Sequence, residues 1–157
     1  MSGGEETDTA KRVTDEALRP YLGFNLRRAW NVIHADLAAT LDPLGLRMIT
    51  FSALTVIGDN PGLSQAQLAA ALSVERPNLV AVTEELTTRG LISRDRVPSD
   101  RRTYALRLTT AGARLLAQAS EAVHTHERQL YSVLSEAELE SLRAMLGKIE
   151  STGTERS

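Results

Sequence analysis

The stretch from Ser64 to Thr109 constrains the fold of this chain more than any other, because it joins two short helical patterns to a hairpin pattern. Ser64 and Gln67 have the spacing of a capping box, in which the two side chains satisfy free backbone N–H groups at a helix start. A second helical pattern begins near Glu75 and carries Pro77 in its first turn, where the absent N–H is not needed. Two short helices joined by so tight a turn predict a helix-turn-helix.

A β-hairpin pattern follows the second helix. Apolar Leu91 and Ile92 precede a Pro-Ser-Asp turn at 98–100, and every second residue from Tyr104 to Leu108 is a large apolar one. A hairpin on its own has no need of a cluster of positive charge, whereas a hairpin that lies against a phosphate backbone does. The pattern therefore predicts a winged helix-turn-helix with DNA as its partner. The local charge of +3 comes from Arg94, Arg96, Arg101, Arg102 and Arg107 against Asp95 and Asp100.

Composition limits the classes of function. A chain of 157 residues with 42% hydrophobic and 24% charged residues is expected to form one globular domain with short tails. The absence of cysteine excludes disulfides, thiolate metal sites and cysteine redox sensing. No apolar run approaches the roughly 18 residues of a membrane helix and no signal peptide is recognised, so we expect a cytoplasmic protein with no membrane partner. The net charge of −2 does not argue against DNA, because a basic wing acts locally.

The fold class that these patterns predict is mainly α with a small β-wing, in which long terminal helices flank the winged core. The terminal helices carry apolar stripes wider than one small domain covers, so we expect a homodimer in which they interleave. The alternative is a monomer whose terminal helices fold back on their own core. The expected segments are a disordered tail (1–16), an N-terminal dimerisation helix (17–45), the DNA-binding domain (46–108), C-terminal dimerisation helices (109–150) and a frayed tail (151–157). Within them we expect long helices over about 17–41, 47–58, 110–134 and 136–149.

The chain resembles the MarR family of bacterial transcription regulators over about Leu18 to Ile149. The resemblance rests on SQAQLAAAL at 64–72, on LTTRGLISR at 86–94, and on SDRRTYALRLTTAGARLL at 99–116. The last segment has the family's wing signature, an Asp-x-Arg followed by a Leu-x-Leu-Thr strand. The resemblance implies a dimer that represses, or less often activates, and that loses operator affinity when a small molecule binds.

Nine residues are the candidates for DNA contact. Arg76 and Asn78 at the start of the recognition helix suit guanine and adenine, while Pro77 and Val80 suit a thymine methyl group. Arg102 occupies the arginine of the wing signature and is assigned to the minor groove, whose negative potential favours arginine. For each residue the alternative is a solvent-exposed side chain without a partner. The full set is Ser64, Gln65, Arg76, Pro77, Asn78, Val80, Arg94, Arg101 and Arg102.

The recognition helix departs from the family pattern. It has few basic residues, and Ala81 stands where the family often has arginine. This leaves open a second function, a winged-helix module that binds protein rather than DNA. No Gly-rich phosphate loop, nucleophile elbow or His-Glu-x-x-His motif is present, so neither an enzyme nor a cofactor is predicted.

The effector site is expected near Trp30. In the family the effector pocket lies between the dimerisation helices and the winged core, and an aromatic ring flanked by cations suits an aromatic or acyl carboxylate, carried for example as a coenzyme A thioester. The alternatives are that Trp30 belongs to the core and its arginines to a solvated face, or that His124 and Glu121 join His34 in a weak metal site. No metal is assigned. The candidate effector residues are Arg27, Arg28, Trp30, Asn31, His34 and Arg47.

Overall fold

The computed structural model describes residues 13–97 and 100–154, with the backbone alone at 96–97, 100–103 and 154. The described chain is mainly helical with one two-stranded antiparallel sheet, which confirms the predicted fold class. Short 3-10 turns occupy Glu16–Leu18 and Asp42–Leu44. The other elements, in chain order, are α1 (Leu22–Leu41), α2 (Met48–Asp59), α3 (Gln65–Ala71), α4 (Arg76–Thr88), β1 (Ile92–Val97), β2 (Asp100–Leu108), α5 (Thr110–Leu130) and α6 (Glu136–Thr154).

Two compact units divide the chain within α1, one up to His34 and one from Ala35 onward. The second unit contains a buried apolar core in which the two helices of the helix-turn-helix pack with α2, the sheet and α5. Among the described residues no single helix is long and apolar enough to cross a membrane, and only α1 and α2 taken together as a bent pair reach that length and apolarity. The fully buried large apolar side chains are Leu41, Leu54, Ile57, Leu68, Leu79, Leu86 and Leu106.

The helix-turn-helix forms as the sequence predicts. The Gln67 backbone N–H donates to Ser64 Oγ over 3.2 Å, and the Ser64 N–H donates to Gln67 Oε1 over 2.8 Å, so the capping box that starts α3 is complete. The turn to α4 passes through Ser73, which adopts a left-handed φ of 52°. Val74 follows and packs against the core, which holds the two helices at a fixed crossing.

The wing is a short antiparallel hairpin docked on the loop before α3. Ile92 pairs with Leu108 and Arg94 pairs with Leu106, and an irregularity in register falls between Arg96 and Val97. Leu106 also accepts from the Gly62 N–H over 2.8 Å and donates to the Leu63 carbonyl over 2.9 Å. The base of the wing is therefore bonded on both sides. Residues 98–99 of the predicted Pro-Ser-Asp turn lie outside the described residues.

The start of α5 is locked onto the chain between α4 and β1. Thr109 caps α5 by accepting from the Gly112 N–H over 3.0 Å, and its hydroxyl lies 2.7 Å from the carbonyl of Gly90. Gly90 ends α4 in the left-handed conformation with φ 67°. At Gly112 the helix approaches so closely that a Cβ atom would lie 1.9 Å from the Leu91 carbonyl oxygen. Only glycine fits this contact between α5 and the root of the wing.

Three helix ends differ from the predicted positions. Pro20 cannot donate to the helical ladder, so α1 begins at Leu22 and the Asn25 amide bonds the carbonyls of Arg19 and Tyr21. α5 stops at Leu130, before the predicted 134. The Ser135–Glu138 capping box then starts α6, and its hydrogen bonds hold the pKa of the Glu138 carboxyl below its usual value. α6 continues to Thr154, into the segment predicted to be frayed. Of the predicted N-terminal tail, positions 1–12 lie outside the described residues.

Candidate nucleic-acid interface and effector residues

The first turn of α4 presents a row of side chains to solvent. Arg76, Pro77, Asn78 and Val80 are exposed, whereas Leu79 between them is buried in the core. The core therefore fixes the rotation of α4 and leaves these four side chains free to contact another molecule. This is the end of a recognition helix that reaches base edges in helix-turn-helix complexes.

A shallow cleft of about 210 Å³ separates α3 from α4 on this face. Gln65 and Ala66 of α3 form one wall, and Arg76, Leu79 and Val80 of α4 form the other. The cleft brings together three of the nine residues that the sequence assigns to DNA contact. The apolar side chains of the cleft suit a thymine methyl group. Arg76 and Gln65 beside them can donate hydrogen bonds to acceptors on neighbouring bases.

A polar cluster behind this face connects α3, α4 and β1. The Gln65 amide nitrogen Nε2 donates to Thr83 Oγ1 over 2.7 Å, and Arg94 Nη2 donates to the same oxygen over 3.0 Å. The Thr83 hydroxyl in turn donates to the Val80 carbonyl over 3.0 Å. Thr83 is fully buried. Sequence reasoning missed this residue, since a threonine in the middle of a helix has no local feature that marks it.

Three of the five wing arginines belong to β2. Arg107 is exposed and lies 3.7 Å from Asp95 across the hairpin, measured from Nε to Oδ2. Arg101 and Arg102 belong to β2, but their side chains lie outside the described part of the chain, so their roles as DNA contacts stay predictions. The backbone places both in the strand that returns from the tip of the wing.

Ion pairs hold the C-terminal end of α4 against the chain before α2. Glu85 bonds the guanidinium of Arg47 and also pairs with Arg89, whose Nη1 lies 3.5 Å away. Arg89 donates to the Gly45 carbonyl over 2.7 Å. Arg47 was assigned to the effector site from sequence, and in this structure its guanidinium bonds the recognition helix. The Arg47 backbone N–H donates to Thr50 Oγ1 over 2.9 Å at the start of α2.

α4 has no excess of positive charge. It carries one arginine, Arg76 at its start, and two glutamates, Glu84 and Glu85, near its end. By sequence the helix is therefore slightly acidic. Any attraction between this helix and a phosphate backbone is confined to its first turn.

Arginines and aromatic rings cluster at the start of α1. The guanidinium carbons of Arg19, Arg27 and Arg28 lie 5.7 to 5.9 Å from the centre of the Phe24 ring, within cation–π distance. Asp15 pairs with two of these arginines, leaving Arg27 without an ion pair among the described residues. Sequence reasoning identified Arg27 and Arg28 but missed Phe24, although its spacing on the helix places it beside both.

Trp30 continues this surface by one turn. Its ring centre lies 5.4 Å from that of His34, and its side chain is 47% exposed, so it is not part of the core of a single chain. Asn31 is exposed beside it. All five residues lie in α1; the contacts that the structure shows are Trp30 with His34, and Arg27 and Arg28 with Phe24. The five are Arg27, Arg28, Trp30, Asn31 and His34.

The histidines of α5 lie in different surroundings. His126 is largely covered, with Nδ1 4.0 Å from Asp36, while His124 is exposed at a cleft of about 360 Å³ between α5 and α6. In that cleft, burial and the nearby Glu127 raise the pKa of the Tyr131 hydroxyl, against the opposing effect of Arg143. Among the described residues no group of three or more histidines and carboxylates could hold a metal ion.

Comparison with known proteins agrees with this geometry. Residues 44–103 match the model of the MarR family. Over 129 residues the chain is 38% identical to a putative transcriptional regulatory protein for the hcr operon of Thauera aromatica, in an alignment that covers 82% of this chain and 78% of that protein.

Two solved structures of one transcriptional repressor, CouR, are also similar to the chain. CouR bound to a 23-mer DNA duplex superposes with a TM-score of 0.85 and is 36% identical, over 88% of this chain and 99% of CouR. CouR bound to p-coumaroyl-CoA superposes with a TM-score of 0.80 and 34% identity, over 88% of this chain and 98% of CouR. At 88% of this chain, the similarity is not limited to residues 44–103.

Proposed function

The chain belongs to the MarR family of transcription regulators, and on that premise we propose that it is a homodimeric repressor that binds a pseudo-palindromic operator in double-stranded DNA. The observation that carries the proposal is the exposed first turn of α4, where Arg76 and Asn78 face solvent on a helix that the core holds in place. A two-fold dimer would present two such surfaces to successive major grooves. The protein acts in the cytoplasm, where the DNA is, and without catalysis.

In this proposal the first turn of α4 enters the major groove. Arg76 and Asn78 contact base edges, Pro77 and Val80 contact thymine methyl groups, and Ser64 and Gln65 at the start of α3 lie near the phosphate backbone. Arg101 and Arg102 of the wing reach the adjoining minor groove and its phosphates. Arg94 of the wing is not among these contacts, because its guanidinium bonds Thr83 of the recognition helix.

Replacing Arg102 with alanine should weaken operator binding by about 1–3 kcal/mol without changing the melting temperature. The side chain is assigned to the minor groove, where an arginine gains from the negative potential and alanine gains nothing. Fluorescence anisotropy with an operator duplex measures the effect. Arg27→Ala, which removes the same charge from α1, should leave the affinity of the ligand-free protein unchanged. Normal binding by Arg102→Ala would exclude this residue from the interface.

The salt dependence of DNA binding distinguishes this regulator from the competing function, a winged module that binds protein. A DNA-binding regulator binds random duplex at low salt and loses affinity as salt rises, because binding releases counterions. A protein-binding module ignores DNA at both salt concentrations. This measurement needs no knowledge of the operator.

The small molecule that releases the operator is proposed to be an aromatic acid carried as a coenzyme A thioester. The cluster on α1 supports this class of ligand: Trp30 and Phe24 offer aromatic surface, and Arg27 and Arg28 offer charge for phosphate or carboxylate groups. CouR, which resembles the chain along most of its length, has been solved with p-coumaroyl-CoA. Release then follows from tighter binding of the thioester to the conformation that does not bind DNA.

A thermal-shift screen tests the ligand class. Aromatic acyl-CoA thioesters, with p-coumaroyl-CoA as the first probe, should raise the melting temperature and release operator DNA, whereas free coenzyme A should do neither. Trp30→Leu should raise the thioester concentration needed for half release by about tenfold through lost stacking, with operator affinity unchanged. If divalent metals released DNA instead, and His34 or His124 substitutions removed that response, the thioester proposal would be wrong.

A further inference from the structure

The Thr83 hydroxyl is fully used. A hydroxyl can donate one hydrogen bond and accept two. Thr83 Oγ1 donates to the Val80 carbonyl and accepts from Gln65 Nε2 and Arg94 Nη2, at distances between 2.7 and 3.0 Å. One buried oxygen atom in α4 therefore connects the start of α3 and the first strand of the wing to the recognition helix.

The Arg94 guanidinium is turned toward the protein. Arg94 lies in β1 opposite Leu106, which is fully buried, and its Nε is buried without a hydrogen-bond partner among the described residues. A guanidinium carries five N–H donors in a rigid fork. One donor of Arg94 bonds Thr83 and the Nε donor is enclosed, so the side chain is held against α4.

The hydrogen bonds have a geometric consequence for DNA binding. α4 and β1 are joined covalently by only three residues, 89–91, and the base of the wing is bonded to the loop before α3 through Leu106. The Arg94–Thr83 bond lies farther along the wing, two residues into β1, and joins that strand directly to the middle of α4. It is a side-chain bond between the wing and the recognition helix, so it resists a change in the angle between them.

We propose that Arg94 is a positioning residue for operator recognition: through the Thr83 hydroxyl it fixes the angle between the wing and the recognition helix, so that both reach their grooves in one docking. The inference rests on the proposed DNA-binding function. It differs from the sequence-based assignment of Arg94 as a DNA contact. Gln65 belongs to the same unit and ties α3 to the same oxygen.

The experiment compares operator affinity and its salt dependence among four variants, using a duplex that the wild-type protein selects from a random-sequence pool. Thr83→Val keeps the shape of the side chain but removes the oxygen, and Arg94→Met removes the donor. Each should lower operator affinity by about tenfold. The double variant should lose no more than Thr83→Val alone, because removing the Thr83 oxygen already breaks the bond to Arg94. Thr83→Ser, which keeps the hydroxyl, should bind like the wild type.

The salt slope distinguishes positioning from contact. A lost phosphate contact reduces the slope of log K against log salt by about 0.9, whereas a lost positioning residue leaves the slope unchanged. Thermal melting of each variant confirms that binding is measured on folded protein. Should Thr83→Val fold poorly, Thr83→Ala removes the same oxygen with a smaller side chain and should weaken binding by the same factor.

Two results would overturn the inference while the proposed function stands. The first is a slope reduced by about one for Arg94→Met with normal binding by Thr83→Val, which would make Arg94 a phosphate contact. The second is wild-type affinity for both variants with only a lower melting temperature, which would make the cluster structural. If the wild-type protein selected no sequence and bound no random duplex, the proposed function would fail first and the inference with it.

Discussion

Replacing Gly112 with alanine should lower the free energy of unfolding by about 3 kcal/mol, at the upper end of the usual cost of overpacking. The added Cβ would lie 1.9 Å from the Leu91 carbonyl oxygen and 2.9 Å from its carbon, and both are backbone atoms that cannot rotate away. Either α5 must move off the root of the wing or the chain at Leu91 must shift. Both movements disturb the hydrogen bonds that Thr109 makes with Gly90 and Leu91.

Urea denaturation at a fixed protomer concentration measures this effect, since unfolding of an oligomer depends on concentration. Gly147→Ala is the matched control, because Gly147 also lies inside a helix and a Cβ there would meet nothing within 4 Å. That variant should gain up to about 1 kcal/mol from the better helix propensity of alanine. Equal stability of the two variants would show that the contact between α5 and Leu91 is adjustable.

Placing glutamate at both Met145 and Ile149 should convert the proposed dimer to a monomer and lower operator affinity by about 10²- to 10⁴-fold. These residues belong to an apolar stripe along α6 that is exposed in the single chain, with Met145 53% and Ile149 48% exposed. Leu142 and Leu146 complete the stripe at helical spacing. A partner chain that covers the stripe cannot accommodate two buried carboxylates without a large desolvation cost.

Sedimentation velocity reports the oligomeric state, and binding to a full operator compared with a half-site reports the loss of the second contact. The control is glutamate at both Ala144 and Ser151, which places the same charge, seven residues apart, on the opposite face of α6. This control should remain dimeric. A Met145→Glu, Ile149→Glu protein that stayed dimeric would place the interface elsewhere in the chain.

Elements with strong local determinants were predictable from sequence. The Ser64–Gln67 capping box and Gly90 mark the helix-turn-helix because caps depend on residues within one turn of each other. The wing was predictable because large apolar residues alternate with others from Tyr104 to Leu108. Pro20 gave the wrong start for α1, because a proline fits a first turn as readily as the break before a helix.

Contacts between distant residues were not predictable in this way. Thr83 and Arg94 are neighbours only because β1 folds back along α4, and Arg47 reaches Glu85 across 38 positions of sequence. No periodicity in the chain encodes such a pair. The exposed ring of Trp30 illustrates the same limit, since an apolar stripe on a helix does not reveal whether its own core or a second chain covers it.

The slightly acidic character of α4 has a consequence for how the protein searches a genome. Binding to unrelated DNA depends almost entirely on charge, and here that charge resides in the wing and the first turn of one helix. Arg76, in the first turn, is the one basic residue of α4, so the recognition helix gains little from sites whose bases it does not fit. We expect the competing pool of genomic sites to hold fewer copies of the protein. A small number of molecules per cell would then keep one operator occupied, and a copy released by effector would return to solution instead of to neighbouring DNA.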